Sequence, residues 1–208
     1  MKNIVILISG RGSNMQAIVN AGIPDVRIAA VLSNSAAAAG LAWAAERGIP
    51  TDSLNHKDFA SRSAFDQAMM EKIDAYQPDL VVLAGFMRIL TPEFCTRYEG
   101  RLMNIHPSIL PSFTGLHTHE RALAAGCRVA GCTIHFVTSE LDCGPIISQG
   151  VVPIFDNDTA DDIAARVLKV EHRLFPQAVA DFAAGRLKIE GNRVINSRNQ
   201  PEDRPLLA

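Results

Sequence analysis

The most constraining feature of the sequence is a continuous apolar run, Ile4-Val5-Ile6-Leu7-Ile8, that leads directly into a glycine-containing turn and a helical stretch. Such a β-branched run without alternation is typical of a strand that is buried on both faces of a parallel sheet. Strand-like and helix-like stretches then alternate along most of the chain, which predicts a doubly wound, mostly parallel α/β sheet of the Rossmann-like type. Because ligands bind such sheets beyond the carboxyl ends of the strands, we expect functional residues directly after strands.

The periodicity of apolar residues places these elements along the chain. It predicts strands over residues 4–8, 26–32, 51–54, 80–84 and 102–105, and helices over 13–21, 36–47 and 61–76. Thr91-Pro92 has the chemistry of a helix start. Two longer strands over 129–137 and 146–153 are expected to pair antiparallel at one edge, and a last helix covers 159–184. Residues 1–190 are predicted to form a single domain, followed by a short tail over residues 191–208.

Composition and charge argue against several classes of protein. The chain has 20 Lys and Arg against 22 Asp and Glu, so its net charge of −2 provides no basic field for a nucleic acid. No apolar stretch approaches the roughly 20 residues of a membrane span, and Met1-Lys2-Asn3 enters the first strand without a secretory signal. The four cysteines have neither paired nor zinc-ligand spacing. We therefore expect a cytoplasmic protein with neither nucleic-acid nor membrane partners.

The turn after the first strand, Ser9-Gly10-Arg11-Gly12-Ser13-Asn14, is a candidate anion site and is called the phosphate loop below. Glycines allow the backbone to approach an anion, and the N–H groups at a helix start can bind it. Met15 stands where a dinucleotide fingerprint requires a third glycine, which disfavours a full NAD site. Two interpretations stay open at this point: a monophosphate site, and a tight turn capped by Ser13.

A second candidate site follows the strand over residues 102–105. Alternation along an extended chain places Asn104 and His106 on the same side, and Pro107 keeps His106 extended. A carboxamide donor beside an imidazole suits the stabilisation of an oxyanion. A histidine charged at pH 7 needs a partner, and Asp142 in the turn after the strand over 129–137 is the candidate. An ordinary turn-forming Asp is an equally good interpretation of Asp142 from the spacing alone.

Two weaker candidates lie elsewhere in the chain. Glu171 falls on the apolar stripe of the last helix, where a carboxylate is costly unless it is paired. A substrate contact and a structural salt bridge both fit it. His117 and His119 form an H-x-H pair, but no Cys or carboxylate completes a metal-ligand spacing. We expect these histidines to line the crevice or cap the following helix, and we expect no metal.

Taken together, the motifs resemble the signature of the 10-formyltetrahydrofolate-dependent formyltransferases. Asn104-Ile-His106-Pro-Ser108, then Leu110-Pro111, and later Leu141-Asp142-x-Gly144 carry the resemblance. The phosphate loop and the segments 85–90 and 115–119 extend it over residues 3 to about 190. Two departures are visible: Cys143 stands where the family commonly has Gly, and Ser112-Phe113-Thr114 replaces a run such as Lys-Tyr-Pro.

The resemblance implies a role for each matching residue. Asn104 and His106 match the catalytic pair, and Asp142 matches the carboxylate that keeps the histidine protonated. Glu171 matches a residue that contacts the acceptor substrate. Two larger sets match binding positions. Those for the substrate phosphate are Gly12, Ser13 and Asn14; those for the folate are Arg62, Met87, Arg88, Ile89 and Leu90, together with Asn104.

The implied activity is transfer of a formyl group from the co-substrate 10-formyltetrahydrofolate to the amine of 5'-phosphoribosylglycinamide, in de novo purine synthesis. The N-terminal half would bind the phosphate and the C-terminal half the folate, in a monomer or a homodimer. A formyltetrahydrofolate hydrolase is the nearest alternative, but we expect it to carry a further N-terminal domain. A tRNA formyltransferase is expected to carry a basic C-terminal domain. A nucleotide-binding sensor is the non-enzyme alternative, and it is expected to lack one of Asn104, His106 and Asp142.

Overall fold

The structure of the protein, a computed structural model, describes residues 1–198. Within these residues the chain forms nine strands and six α-helices, with a single 3-10 turn at His56–Asp58. The strands are β1 (Lys2–Ile8), β2 (Val26–Ser33), β3 (Thr51–Ser53), β4 (Leu80–Leu83), β5 (Leu102–His106), β6 (Val129–Phe136), β7 (Ile146–Pro153), β8 (Leu187–Glu190) and β9 (Arg193–Asn196). The helices are α1 (Ser13–Asn20), α2 (Ala39–Ala45), α3 (Arg62–Asp74), α4 (Pro92–Arg97), α5 (Thr118–Ala124) and α6 (Ala160–Ala183).

Contacts within the chain group it into two compact units. The first comprises Met1–Asn104 and Val137–Ser139, and the second comprises Ile105–Phe136 and, of the described residues, 140–198. Residues 199–208, which belong to the predicted tail, lie outside the described residues, whereas β9 falls inside the segment predicted as tail. The division into one domain and a tail stays a prediction.

The first unit is a parallel sheet with the strand order β3-β2-β1-β4-β5, to which β5 contributes its first three residues. Its neighbouring strands pair parallel throughout, as the run over residues 4–8 predicts. All five residues of that run are completely buried, so both faces of β1 are covered. The order of the strands reverses between β1 and β4, which makes this the switch point of a doubly wound sheet and the expected place for a ligand.

The second unit has the strand order β6-β7-β9-β8. β6 and β7 pair antiparallel, as predicted, with Thr133 opposite Gln149. Helix α6 packs against both strands, and it begins with a capping box in which Thr159 and Asp162 bond to each other's backbone N–H. The expected α/β class, with parallel strands first and antiparallel strands towards the C-terminal end, is confirmed by this arrangement and by solved structures compared below.

The hairpin of β8 and β9 is absent from the elements that the periodicity predicts. β9 pairs with β7, so β7 does not end the sheet of this unit. The signal was present in Gly191-Asn192, a two-residue hairpin turn between short alternating runs. Charged residues in those runs concealed it, because both strands are largely exposed.

Candidate active site

The phosphate loop joins β1 to α1 with its backbone facing a cavity. Gly12 is the N-cap residue of α1 and has φ 69°, a left-handed conformation that favours glycine. Among residues 1–198 no side chain caps this helix, so Ser13 does not act as its cap, and the phosphate site stays a prediction. The helix start therefore keeps N–H groups that can donate hydrogen bonds to an anion.

A cavity of about 300 Å³ lies at the switch point of the first unit. It is lined by Ser9, Gly10, Arg11, Gly12, Ser13, Asn14, Ala84, Gly85 and Met87. The predicted phosphate residues and the start of the predicted folate segment thus border the same cavity. Arg11 is the cationic side chain in this lining, and it adds a positive charge to the helix terminus.

Three hydrogen bonds that the sequence did not reveal hold the phosphate loop in place. The Ser9 hydroxyl donates to Asn34 Oδ1 at 2.6 Å and accepts from the Met87 N–H at 2.8 Å. The Gly40 N–H donates to the Gly10 carbonyl at 3.1 Å. A Cβ on Gly40 would lie 2.5 Å from Ile8 Cδ1 and 3.0 Å from the Arg11 carbonyl oxygen, so only glycine allows α2 to approach the loop this closely.

The predicted folate segment, residues 87–90, follows β4. Met87 and Ile89 are exposed large apolar side chains, with 67% and 59% of their surface accessible. The Arg88 guanidinium lies 4.6 Å from the centre of the Phe65 ring, and its buried Nε has no hydrogen-bond partner in the described part of the chain. Arg62 is the exposed first residue of α3.

In the second unit the structure brings His106 and Asp142 together. Both side chains are buried, and His106 Nδ1 lies 3.5 Å from Asp142 Oδ2, within ion-pair distance. His106 Nε2 lies 3.0 Å from the Phe113 carbonyl oxygen, which can only accept. Both ring nitrogens therefore face acceptors, an arrangement that suits the protonated imidazolium.

The loop after His106 bonds to both members of this pair. While Phe113 accepts from His106, the Gly115 N–H donates to Asp142 Oδ2 at 2.9 Å. Asp142 itself has φ 55°, so the two interpretations of this residue are compatible: it forms a turn and directs its carboxylate at the histidine. The neighbouring Cys143 is an exposed free thiol.

Asn104 and Glu171 are placed by different elements. Asn104 lies on β5, two residues before His106, and is half-buried. Glu171 is buried on α6 with 6% of its surface accessible. Burial, together with the charge of Glu171, raises the pKa of the Cys132 thiol to about 12, which indicates a carboxylate close to β6.

The remaining histidines of the second unit differ in their surroundings. His117 is the N-cap residue of α5, and His119 lines a second, largely apolar cavity of about 230 Å³. Burial lowers the pKa of His119 and, despite a backbone hydrogen bond to Phe136, that of His135. Residues 1–198 contain no group of three or more His, Cys, Asp or Glu side chains arranged to hold a metal ion. The expected lack of a metal stays a prediction.

Comparison with known proteins gives consistent matches over nearly the whole chain. The family model described as formyl transferase matches residues 2–179. The phosphoribosylglycinamide formyltransferase of Escherichia coli is 52% identical over 193 residues, which is 91% of each chain. A trifunctional purine biosynthetic protein of Bos taurus is 44% identical over 91% of this chain and 19% of its own length. The crystal structure of glycinamide ribonucleotide transformylase 1 from Symbiobacterium toebii superposes with a TM-score of 0.91, at 46% identity over 94% of both chains.

No helix between residues 1 and 198 combines the length and the apolar character that a membrane crossing requires.

Proposed function

We propose that this chain, which belongs to the formyl transferase family, transfers the formyl group of 10-formyltetrahydrofolate to the amine of 5'-phosphoribosylglycinamide. The products are the N-formyl derivative and tetrahydrofolate, in a step of purine biosynthesis. The observation that carries the proposal is the buried His106–Asp142 pair, in which both imidazole nitrogens face acceptors. It supplies a positioned proton donor, which acyl transfer to an amine requires.

The reaction begins when the acceptor's amine attacks the formyl carbon. A carbon–nitrogen bond forms, and the carbonyl oxygen gains the negative charge of a tetrahedral intermediate. The Asn104 carboxamide donates to this oxyanion, and protonated His106 donates to it when its Nε2–H turns from the Phe113 carbonyl to the substrate. The intermediate then collapses by breaking the bond to N10 of the folate. Protonated His106 gives a proton to N10 as this bond breaks and then takes one from the nitrogen that attacked, while Asp142 stabilises the imidazolium.

The phosphate of the acceptor binds the backbone N–H groups at the start of α1, with contributions from Gly12, Ser13 and Asn14. The uncapped helix start and the left-handed Gly12 support this assignment, because the N–H groups are left available to an anion. Glu171 contacts the glycinamide part of the same substrate. Its burial supports a role beyond a solvated helix face.

The folate binds along residues 87–90, with Asn104 contributing from β5. Exposed Met87 and Ile89 offer apolar contacts to a flat aromatic ring. Arg62, exposed at the start of α3, pairs with the negatively charged glutamate tail. A cytoplasmic location and a monomeric or homodimeric state remain part of this proposal.

The deciding experiment incubates the protein with 10-formyltetrahydrofolate and one acceptor at a time. Release of tetrahydrofolate that depends on phosphoribosylglycinamide supports the proposal. Release with water alone favours the formyltetrahydrofolate hydrolase, and no release under any condition favours a binding module. Glycinamide riboside, which lacks the phosphate, is the matched control acceptor. We expect it to react poorly, because the phosphate loop then has no ligand.

A further inference from the structure

A buried hydroxyl on β6 bonds to the backbone of the chain that follows His106. Thr133 is completely buried, and its Oγ1 donates to the Ser108 carbonyl at 2.7 Å. The same oxygen accepts from the Leu110 N–H at 3.0 Å. One threonine thus fixes the backbone at two positions on either side of Ile109.

Gln149 on the neighbouring strand completes this arrangement. It lies directly opposite Thr133 in the antiparallel pair. Its Nε2 donates to Thr133 Oγ1 at 3.0 Å and to the Leu110 carbonyl at 2.8 Å. A hydroxyl has one donor and two acceptor positions, so the hydrogen-bonding capacity of Thr133 is filled. Removing its oxygen would leave three partners unsatisfied.

Further hydrogen bonds connect this backbone to the His106 imidazole. The Ser108 hydroxyl donates to the Ser112 carbonyl at 2.6 Å, and the next carbonyl, that of Phe113, accepts from His106 Nε2. Residues 106–113, called the His106 segment below, are therefore linked by hydrogen bonds within the segment. Thr133 and Gln149 bond to the backbone at its centre, at Ser108 and Leu110. Among the hydrogen bonds of the described residues, neither Thr133 nor Gln149 bonds to His106 or Asp142, so their effect on chemistry passes through the backbone that follows His106.

We propose that Thr133 and Gln149 are positioning residues that fix the orientation of the His106 imidazole by holding the backbone of residues 108–110. The kinetic tests of this proposal rest on the proposed function, because they measure formyl transfer. The orientation of the ring can be measured without catalysis. Displacing a catalytic group by about 1 Å can cost on the order of 10²-fold in rate, so loosening this backbone should reduce turnover more than substrate binding.

The first test compares Thr133→Val with Thr133→Ser. The valine variant keeps the shape but loses the oxygen, whereas the serine variant keeps the oxygen. We expect kcat to fall by about tenfold or more in Thr133→Val, with both KM values within about threefold of wild type, and to recover to within about threefold in Thr133→Ser. An equal loss of kcat in both variants would overturn the proposal, because it would make the methyl packing, and not the hydroxyl, the cause.

Gln149→Leu provides a second route should Thr133→Val fail to fold. Gln149 is largely exposed, so removing its amide does not open a cavity in the core. We expect kcat to fall by about threefold to fivefold, because Thr133 and Leu110 each lose one partner. Thr159→Ala is the matched control: it removes the cap of α6 and lowers the melting temperature without touching the His106 segment. An unchanged kcat in Gln149→Leu, or an equal loss in Thr159→Ala, would contradict the assignment.

The third readout is the imidazole itself. The ring ¹H–¹⁵N signals of His106 are identified by their loss in His106→Ala. We expect them to shift in Thr133→Val and Gln149→Leu, and to stay at the wild-type positions in Thr133→Ser and Thr159→Ala. This result is independent of turnover. If wild type transferred no formyl group, the proposed function would fail while the ring signals still decided the positioning role; unshifted signals in both variants would reject that role.

Discussion

The phosphate loop and the His106 segment both follow a strand, yet they hold their functional groups by opposite means. In the phosphate loop the backbone presents the functional N–H groups, and Gly12 and Gly40 matter because they lack a side chain. In the His106 segment the functional groups are side chains, and other side chains hold the backbone through its carbonyl and N–H groups. A site of the first kind should be sensitive to added atoms, and a site of the second kind to removed ones.

The largest effects are expected when functional atoms are removed from His106 or from its partner Asp142. We predict that His106→Ala and Asp142→Asn each lower kcat by at least about 10²–10³-fold, because each removes part of the group that stabilises the oxyanion and moves the proton. Steady-state kinetics with both substrates saturating measures this loss. Circular dichroism should show that the fold is retained.

Asp156→Asn is the matched control for these two variants. Asp156 is exposed and pairs with Arg128 on the surface, so its loss should leave kcat at the wild-type value. Near-normal turnover in either His106→Ala or Asp142→Asn would remove the basis for treating the His106 segment as the site of chemistry.

The same contrast explains what the sequence could and could not predict. The buried strands, the antiparallel pair and the candidates His106 and Asp142 follow from local patterns, because periodicity and motifs lie along the chain. Thr133 and Gln149 carry no motif, since their role depends on the register that places them opposite each other. Gly40 could not be singled out within an Ala-rich helix, because its contact with the phosphate loop is distant in sequence. Local patterns therefore reveal the residues that react, whereas the residues that position them become visible only in the folded structure.

An added methyl group should disturb the first region. We predict that Gly40→Ala raises KM for phosphoribosylglycinamide by about tenfold, or about 1.4 kcal/mol, because the new Cβ displaces the loop backbone. The KM for the folate substrate should change less. Ala42→Ser, which adds an atom to an exposed position of the same helix, should leave both constants unchanged. A lower melting temperature with an unchanged KM would show that the loop tolerates the shift.

The two regions should also differ in their response to pH. The phosphate loop contains no histidine, whereas buried His135 lies near the His106–Asp142 pair. Burial lowers the pKa of His135 in the folded state, so below about pH 6.5 the unfolded chain binds the proton first and stability is lost as pH falls. One such histidine contributes a slope of up to about 1.4 kcal/mol per pH unit.

We therefore predict that His135→Gln flattens the decline of unfolding free energy between pH 6.5 and 5, about the unperturbed histidine pKa. Urea denaturation at several pH values measures the two slopes. His119 and His172 also have pKa values that burial lowers, so part of the decline should remain in the variant. Equal slopes of unfolding free energy against pH in wild type and variant would show that His119 and His172, and not His135, cause the decline.

The smallest effect is expected where a side chain is removed from the backbone-built region. Ser13→Ala keeps its N–H and loses a hydroxyl that takes no part in capping α1, so KM for phosphoribosylglycinamide should rise by less than about threefold. The same substitution in the other region, Ser108→Ala, removes the donor to the Ser112 carbonyl and should lower kcat by about fivefold. Measuring both variants side by side tests the contrast directly, because only the surroundings of the serine differ. If Ser13→Ala proved the more damaging of the two, the phosphate would be held by the side chain, and the phosphate loop would be a site of the same kind as the His106 segment.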